Sequence, residues 1–339
     1  MDRNTFLGRK TQKAFILSLR KARKRKNRKY WNKYHPKEGN IGRYVSRLIR
    51  MPETIDVLQD EIGDTFVTAL DQAMQDPSIG LDFRHVQTVS LRAGLLLKAF
   101  SDEYMQRYQL KPIFRCPYSE KTKAVFRYLE IRNYSVKKGR HYADLDCWHI
   151  TSFDRSKDED VPKLLTEVII PKCLEERNEK ENAPIATAIS EALFNCKEHA
   201  YNDNSLFQKW YLGYGRYPHA KSFHFCVCDK GIGFRASMQL GFTQKLTFDD
   251  SRIIQEAAKG RTGVKAGKKN GRGQGLQTAI ENLAYVRGEM TIMSGKGIYT
   301  AGVDEQGNAL DRSFPPRKTS IVGSIIDFSI PTTYSREGR

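Results

Sequence analysis

The stretch "ISEALFNCKEHAYND", Ile189 to Asp203, carries a carboxylate, an amide and an imidazole at four-residue intervals: Glu191, Asn195 and His199. Positions four apart on a helix lie one above the other on a single face. Ile185, Ile189, Ala192, Leu193 and Cys196 form an apolar stripe beside them, so the spacing predicts a helix buried along that stripe. The polar row is either a solvated surface or one wall of a site that handles a metal ion and a phosphate. Those three residues alone do not decide.

The following sequence does. "SFHFCVCDKGIGF" (Ser222 to Phe234) reads as a strand running straight into Asp229, Gly231 and Gly233. Cys226 and Cys228 alternate along it and should face one side. "AAKGRTGVKAGKKNGRGQGLQTAIENL" (Ala257 to Leu283) is a Gly- and Lys-rich loop opening into a helix near Leu276. "GEMTIMSGKGIYT" then reads as a strand and turn, and "SIVGSIIDFSIP" as a closing strand.

This ordered set resembles the GHKL ATPase superfamily, which includes gyrase, the mismatch-repair ATPases, the sensor histidine kinases and the anti-sigma-factor kinases. It is most like the anti-sigma-factor-type ATP-binding domains. Glu191 and Asn195 match the family's N box. Asp229, Gly231 and Gly233 match its first glycine box, and Gly271, Gly273 and Gly275 of "GRGQGL" its second. One such motif arises by chance, whereas three in order on the expected elements are specific. The resemblance implies a two-layer α/β sandwich with a mixed sheet, the Bergerat-type fold, over residues 161–333. It also implies ATP and Mg²⁺ as cofactors, and a homodimer that forms when ATP binds.

Elementary chemistry suits those roles. An Asp229 carboxylate at a strand end can accept a hydrogen bond from an exocyclic amine such as adenine N6, and Gly231 and Gly233 let the backbone approach the base. Backbone N–H groups of the loop, the helix start at Gly275 and Leu276, and the cations Lys268 and Arg272 suit phosphates. Asn195 offers Mg²⁺ a neutral oxygen. Glu191, one turn earlier, can orient or deprotonate the nucleophile: water in an ATPase, a hydroxyl in a protein kinase. His199 reads as a structural histidine.

Before this region, residues 51–135 alternate strands and helices, the pattern of a small α/β unit. "IGLDFRHV" and "KPIFRCP" read as strands. "SLRAGLLLKAFSDEYMQRY" and "SEKTKAVFRYLEIRNY" read as helices, the second capped by Ser119. The passage "LDFRHVQTVSLRAGLLL" resembles the STAS fold of anti-sigma-factor antagonists, whose phosphorylated serine would fall near Leu91, beside Ser90. Residues 136–160 are expected to form a strand and a connection, with a helix break at Ala183–Pro184 and a short tail at 334–339.

Charge is concentrated at one end. Residues 1–50 hold 17 Lys or Arg against Asp2 and Glu38, which accounts for most of the chain's net +18. Arg23, Lys24, Arg25, Lys26, Arg28 and Lys29 stand beside Trp31 in a basic extension. Cations draw phosphate backbones through counterion release, and aromatic rings stack on unpaired bases, so nucleic acid is the expected partner. A solvated tail or docking on an acidic protein are the other readings. No apolar run reaches the roughly 18 residues of a membrane span, and no secretory signal is present. The six cysteines are scattered, which suits a reducing cytoplasm. The expected function is therefore a Mg²⁺-dependent ATPase whose nucleotide state regulates a nucleic-acid or protein partner. The alternatives are an anti-sigma-type serine kinase and a non-hydrolysing ATP-gated module.

Overall fold

The computed structural model describes residues 45–129, 131, 149–154, 163, 165–170, 179–201, 205–216, 222–238, 242–260, 275–304 and 306–331. The amino-terminal unit comprises β1 (Arg47–Arg50), β2 (Thr54–Ile55), α1 (Asp60–Gln75), β3 (Ile79–Asp82) and β4 (Thr88–Val89). It continues through α2 (Leu91–Tyr108), β5 (Ile113–Arg115) and α3 (Glu120–Tyr128). The strands β1, β3 and β5 form a parallel sheet in that order, and β2 pairs with β4. Arg47–Arg50, expected in the basic extension, is thus an edge strand, because its backbone pairs in register with Ile79–Asp82.

Both helices that open after a serine are capped as their sequences require. Ser90 Oγ accepts from Ala93 N at the start of α2, and Ser119 Oγ accepts from Thr122 N at the start of α3. Ser90 also donates to Asp56 Oδ1 at 3.0 Å. Its hydroxyl is therefore held at the helix start.

The second unit contains β6 (His149–Asp154), a short π-helical turn (Leu165–Ile169), α4 (Glu179–His199), β7 (Lys209–Arg216) and β8 (Ser222–Asp229). There follow α5 (Gly233–Ser237), α6 (Phe242–Thr247), α7 (Asp250–Ala258), α8 (Gly275–Tyr285), β9 (Glu289–Gly295), β10 (Gly297–Val303), β11 (Ala309–Ser313) and β12 (Ile321–Pro331). These strands form one seven-stranded sheet in the order β11-β10-β9-β12-β8-β7-β6. β6, from the expected connection, is its edge strand.

Two expectations are corrected. Every strand pair of this sheet is antiparallel, not mixed. The strands β8 and β9 run parallel, but β12 lies between them and pairs antiparallel with both. Nor does a break occur at Pro184, which lies inside α4. Proline removes a single N–H here, and the buried Ile185, Ala188, Ile189 and Ala192 beyond it carry the helix on.

The sheet is covered on both faces. Phe225, Val227, Ile292, Ile326 and Phe328 pack with the helical layer, among Ile185, Ile189, Leu193, Leu276 and Leu283. Their alternating neighbours Tyr211, Cys226, Cys228, Met293 and Ile325 join the core of the small unit, with Leu91, Leu95 and Phe100. The expected common face of Cys226 and Cys228 is therefore the face against the small unit. The approach is close: a Cβ on Gly213 of β7 would lie 2.8 Å from Leu91 Cδ1. At roughly 1.5–3 kcal/mol for each large side chain fully buried, this shared core contributes at most on the order of 10 kcal/mol. The small unit is a third layer rather than a tethered neighbour.

Two buried ion pairs lock the layers. Arg92 of α2 bonds Asp56 Oδ2 through Nη2 at 3.0 Å and Asp327 Oδ2 of β12 through Nη1 at 2.5 Å. Arg317, its side chain 1 % exposed, holds Asp64 of α1 at 3.0 Å from the segment between β11 and β12. Lys318 N and Thr319 N donate to the same carboxylate.

Candidate nucleotide site

The apolar stripe of α4 is buried as its period requires: Ile185, Ile189, Ala192, Leu193 and Cys196 are each at most 2 % exposed. Glu191 and Asn195 sit half-buried at its margin, and His199 is exposed, 3.8 Å from Glu198. The Asn195 Nδ2 is buried and has no hydrogen-bond partner among the described residues. Such a donor costs about 1–3 kcal/mol unless something supplies an acceptor.

Glu191 meets the start of α8. A Cβ built on Gly275 would meet Glu191 Oε2, so a side chain here would push the Glu191 carboxylate from its place at the helix start. The carboxylate stands at the positive end of α8, where negative charge is favoured. Leu276, the next residue, is 6 % exposed and packs into the helical core. Gly271, Gly273, Lys268 and Arg272 lie outside the described residues, as do Arg23, Lys24, Arg25, Lys26, Arg28, Lys29 and Trp31.

The end of α4 is fastened to the turn after β8. Ile232 N donates to Ala200 O at 2.7 Å, and a Cβ on Gly231 would overlap that same carbonyl. Gly233 adopts φ +72°, a conformation that side-chain-bearing residues rarely take. Its neighbour Phe234 N donates to Ser294 Oγ at 3.1 Å. Both glycines thus have a structural reason besides ligand approach.

Asp229 is 2 % exposed. Its Oδ1 accepts from Gly231 N at 2.7 Å, and its Oδ2 accepts from the Ser324 hydroxyl and, at 3.7 Å, the Cys196 thiol. The Ser324 backbone N–H also bonds this carboxylate, so its roughly four acceptor positions are met within the fold, and a ligand donor would share one of them. Burial pushes the Asp229 carboxyl above its ordinary range, against the opposing pull of those bonds. Burial likewise raises the Cys196 thiol, with the Asp229 charge adding to it.

Some of this arrangement has no motif behind it. Ser324 comes from the closing strand, Cys196 from the core stripe and Ser294 from β9. Tyr201 bonds Lys209 O and accepts from Lys230 N at 3.3 Å. Lys230, inside the glycine-box turn, extends to the small unit, its Nζ 3.5 Å from Glu103 of α2. Asp71 of α1 feels the same ammonium, although burial dominates and raises its carboxyl. The turn is thus linked electrostatically to the third layer.

Among the described residues, no three His, Cys, Asp or Glu side chains cluster as a metal site, and no helix is long and apolar enough to cross a membrane. No protein-family model matches the chain, and no curated protein matches it.

Proposed function

We propose that the chain is a GHKL-type protein that binds Mg²⁺–ATP and hydrolyses it, its nucleotide state regulating a nucleic-acid or protein partner. The observation that carries this reading is the Asn195 amide, buried and without an acceptor, one turn from Glu191 on a helix fastened to the Asp229 turn. A phosphate oxygen suits its N–H, and a hard cation suits its oxygen. The Asp229 carboxylate suits adenine N6 as a shared acceptor. In this reading Glu191 orients or deprotonates the attacking water, and Gly271, Gly273, Lys268, Arg272 and the start of α8 at Gly275 and Leu276 hold phosphates. Bound Mg²⁺ supplies neutralisation of phosphate charge. The basic extension, with Arg23 to Lys29 and Trp31, takes nucleic acid.

Hydrolysis by the chain is favoured over phosphorylation of its own small unit, because the Ser90 hydroxyl already caps α2 and donates to Asp56. Phosphate release from Mg²⁺–ATP, with and without DNA or RNA, tests the reading. Glu191→Ala is expected to slow turnover about 10²–10⁴-fold, the usual contribution of a general base, while nucleotide still binds. Turnover unchanged in that variant removes Glu191 from the chemistry. Tight binding with no phosphate release from the native chain shifts the assignment to a kinase or a binding module.

A further inference from the structure

The last residues of the three parallel strands lie side by side: Arg50 of β1 is in register with Asp82 of β3, and Asp82 with Arg115 of β5. Ligands of parallel α/β sheets gather at the carboxyl ends of the strands. At this edge the one carboxylate is already engaged. Asp82 accepts Arg84 Nε at 2.9 Å and Arg84 Nη2 at 2.7 Å, together with Arg84 N at 3.2 Å. Arg115 stands close enough to lower the Asp82 carboxyl further. Yet among the described residues the Arg115 Nε is buried with no hydrogen-bond partner. Arg50 is exposed at the end of the edge strand. Three arginines thus stand at this edge, where Asp82 is engaged by Arg84.

An aromatic ring flanks them. Tyr118 is 62 % exposed, its ring edge-on to His85 at 5.7 Å, and its backbone N–H is tied to Arg84 O at 3.0 Å. A large exposed ring fixed beside the Asp82-bound Arg84, with the unpartnered Arg115 Nε on the next strand, is a poor use of a surface facing only water. It matches a phosphodiester with its base unstacked: guanidinium forks fit phosphate oxygens, and a tyrosine face takes any base.

We propose that this edge binds the backbone of single-stranded nucleic acid, Arg115 and Arg84 holding a phosphate and Tyr118 stacking a base. The site rests on the nucleic-acid part of the function proposed above and not on ATP. It places a folded contact in the same chain as the basic extension, one strand length from where the described chain begins.

The test uses the full chain without nucleotide and a fluorescent single-stranded oligonucleotide carrying 5-iodouridine. Anisotropy is followed across a salt series, with melting curves to show that each variant is folded. Arg115→Gln is expected to weaken binding about fivefold or more and to lower the salt slope by about one. Arg115→Lys keeps the slope and loses affinity, because it keeps the charge but not the fork. Tyr118→Ala weakens single strand more than duplex, and photocrosslinking attaches the label to the peptide containing Tyr118. Unchanged affinity and slope, with crosslinks only within residues 1–50, overturns the site and leaves the extension as the contact. Displacement of the strand by millimolar inorganic phosphate at constant ionic strength assigns a small phosphate ligand instead, and also overturns it. No binding by the native chain removes both the site and the nucleic-acid reading, while the Glu191 turnover experiment still decides the ATP reading separately.

Discussion

Asp229→Asn is expected to weaken ATP binding at least tenfold while leaving the protein folded. Hydrogen bonds to an ionised acceptor contribute about 1.5–3 kcal/mol, against about 0.5–1.5 for a neutral one. The difference of roughly 1.4 kcal/mol is a factor of ten. The protein should still fold, because an amide oxygen accepts from Gly231 N and the Ser324 hydroxyl can turn to accept from the new amide, although the Cys196 thiol loses its acceptor. The pH dependence gives a second reading of the same variant. Burial raises the folded-state pKa of Asp229, so the stability it contributes is full below its unfolded value of about 3.9 and is lost as pH rises through the raised folded value. At pH 7 the asparagine variant should therefore melt no lower than the native protein, and at pH 4 it should lose that relative advantage. Native affinity for ATP in a folded Asp229→Asn protein contradicts the adenine assignment.

Arg92→Met should destabilise the protein by about 3–5 kcal/mol, the usual cost of removing one partner from a buried ion pair. Asp327 is 4 % exposed, and its Oδ1 already lacks a hydrogen-bond partner. Without Arg92 the neighbouring side chain is His224, its Nδ1 3.6 Å from Asp327 Oδ2. The Arg92 charge and His224 hold the Asp327 carboxyl below its ordinary range despite the opposing effect of burial. With the folded pKa depressed, that stabilisation is present above the unfolded value of about 3.9 and is lost as pH falls through the folded value. The gap between native and variant melting temperatures should therefore narrow in acid. Adding Asp327→Leu should recover part of the loss, because it removes the buried stranded charge and leaves only the partly exposed Asp56 without its arginine. A single variant as stable as the native protein would show that the Arg92–Asp327 pair adds nothing to the hold between the layers.

What the sequence disclosed was local. The period of Ile185 to Cys196 marked α4, the serines before Leu91 and Glu120 marked helix starts, and Asp229 with its glycines marked the turn. The antiparallel sheet was not legible, since the insertion of β12 between β8 and β9 is a pairing across about a hundred residues. Burial of the second sheet face was partly legible. In "FCVCD" both alternating sets are apolar, the mark of a strand covered on both sides, and reading it as simple alternation missed the third layer. The contacts Arg92–Asp327, Arg317–Asp64 and Lys230–Glu103 join residues far apart in the chain and leave no spacing signal. At the candidate site Glu191, Asn195, Asp229, Gly231 and Gly233 were identifiable by their spacing, whereas the contacts of Cys196 and Ser324 were not, because each resembles an ordinary core or strand residue until the fold brings it to Asp229.

In the proposed function the Asn195 wall and the Asp229 turn form one Mg²⁺–ATP site. Calorimetric titration of ATP into the full chain, with and without Mg²⁺ and repeated for Asn195→Ala, decides whether they do. One ATP per chain is expected, bound more tightly with Mg²⁺, with a folded Asn195→Ala protein in which that Mg²⁺ dependence is gone. No binding up to millimolar ATP, or the same Mg²⁺-dependent affinity with and without the Asn195 amide, would contradict it.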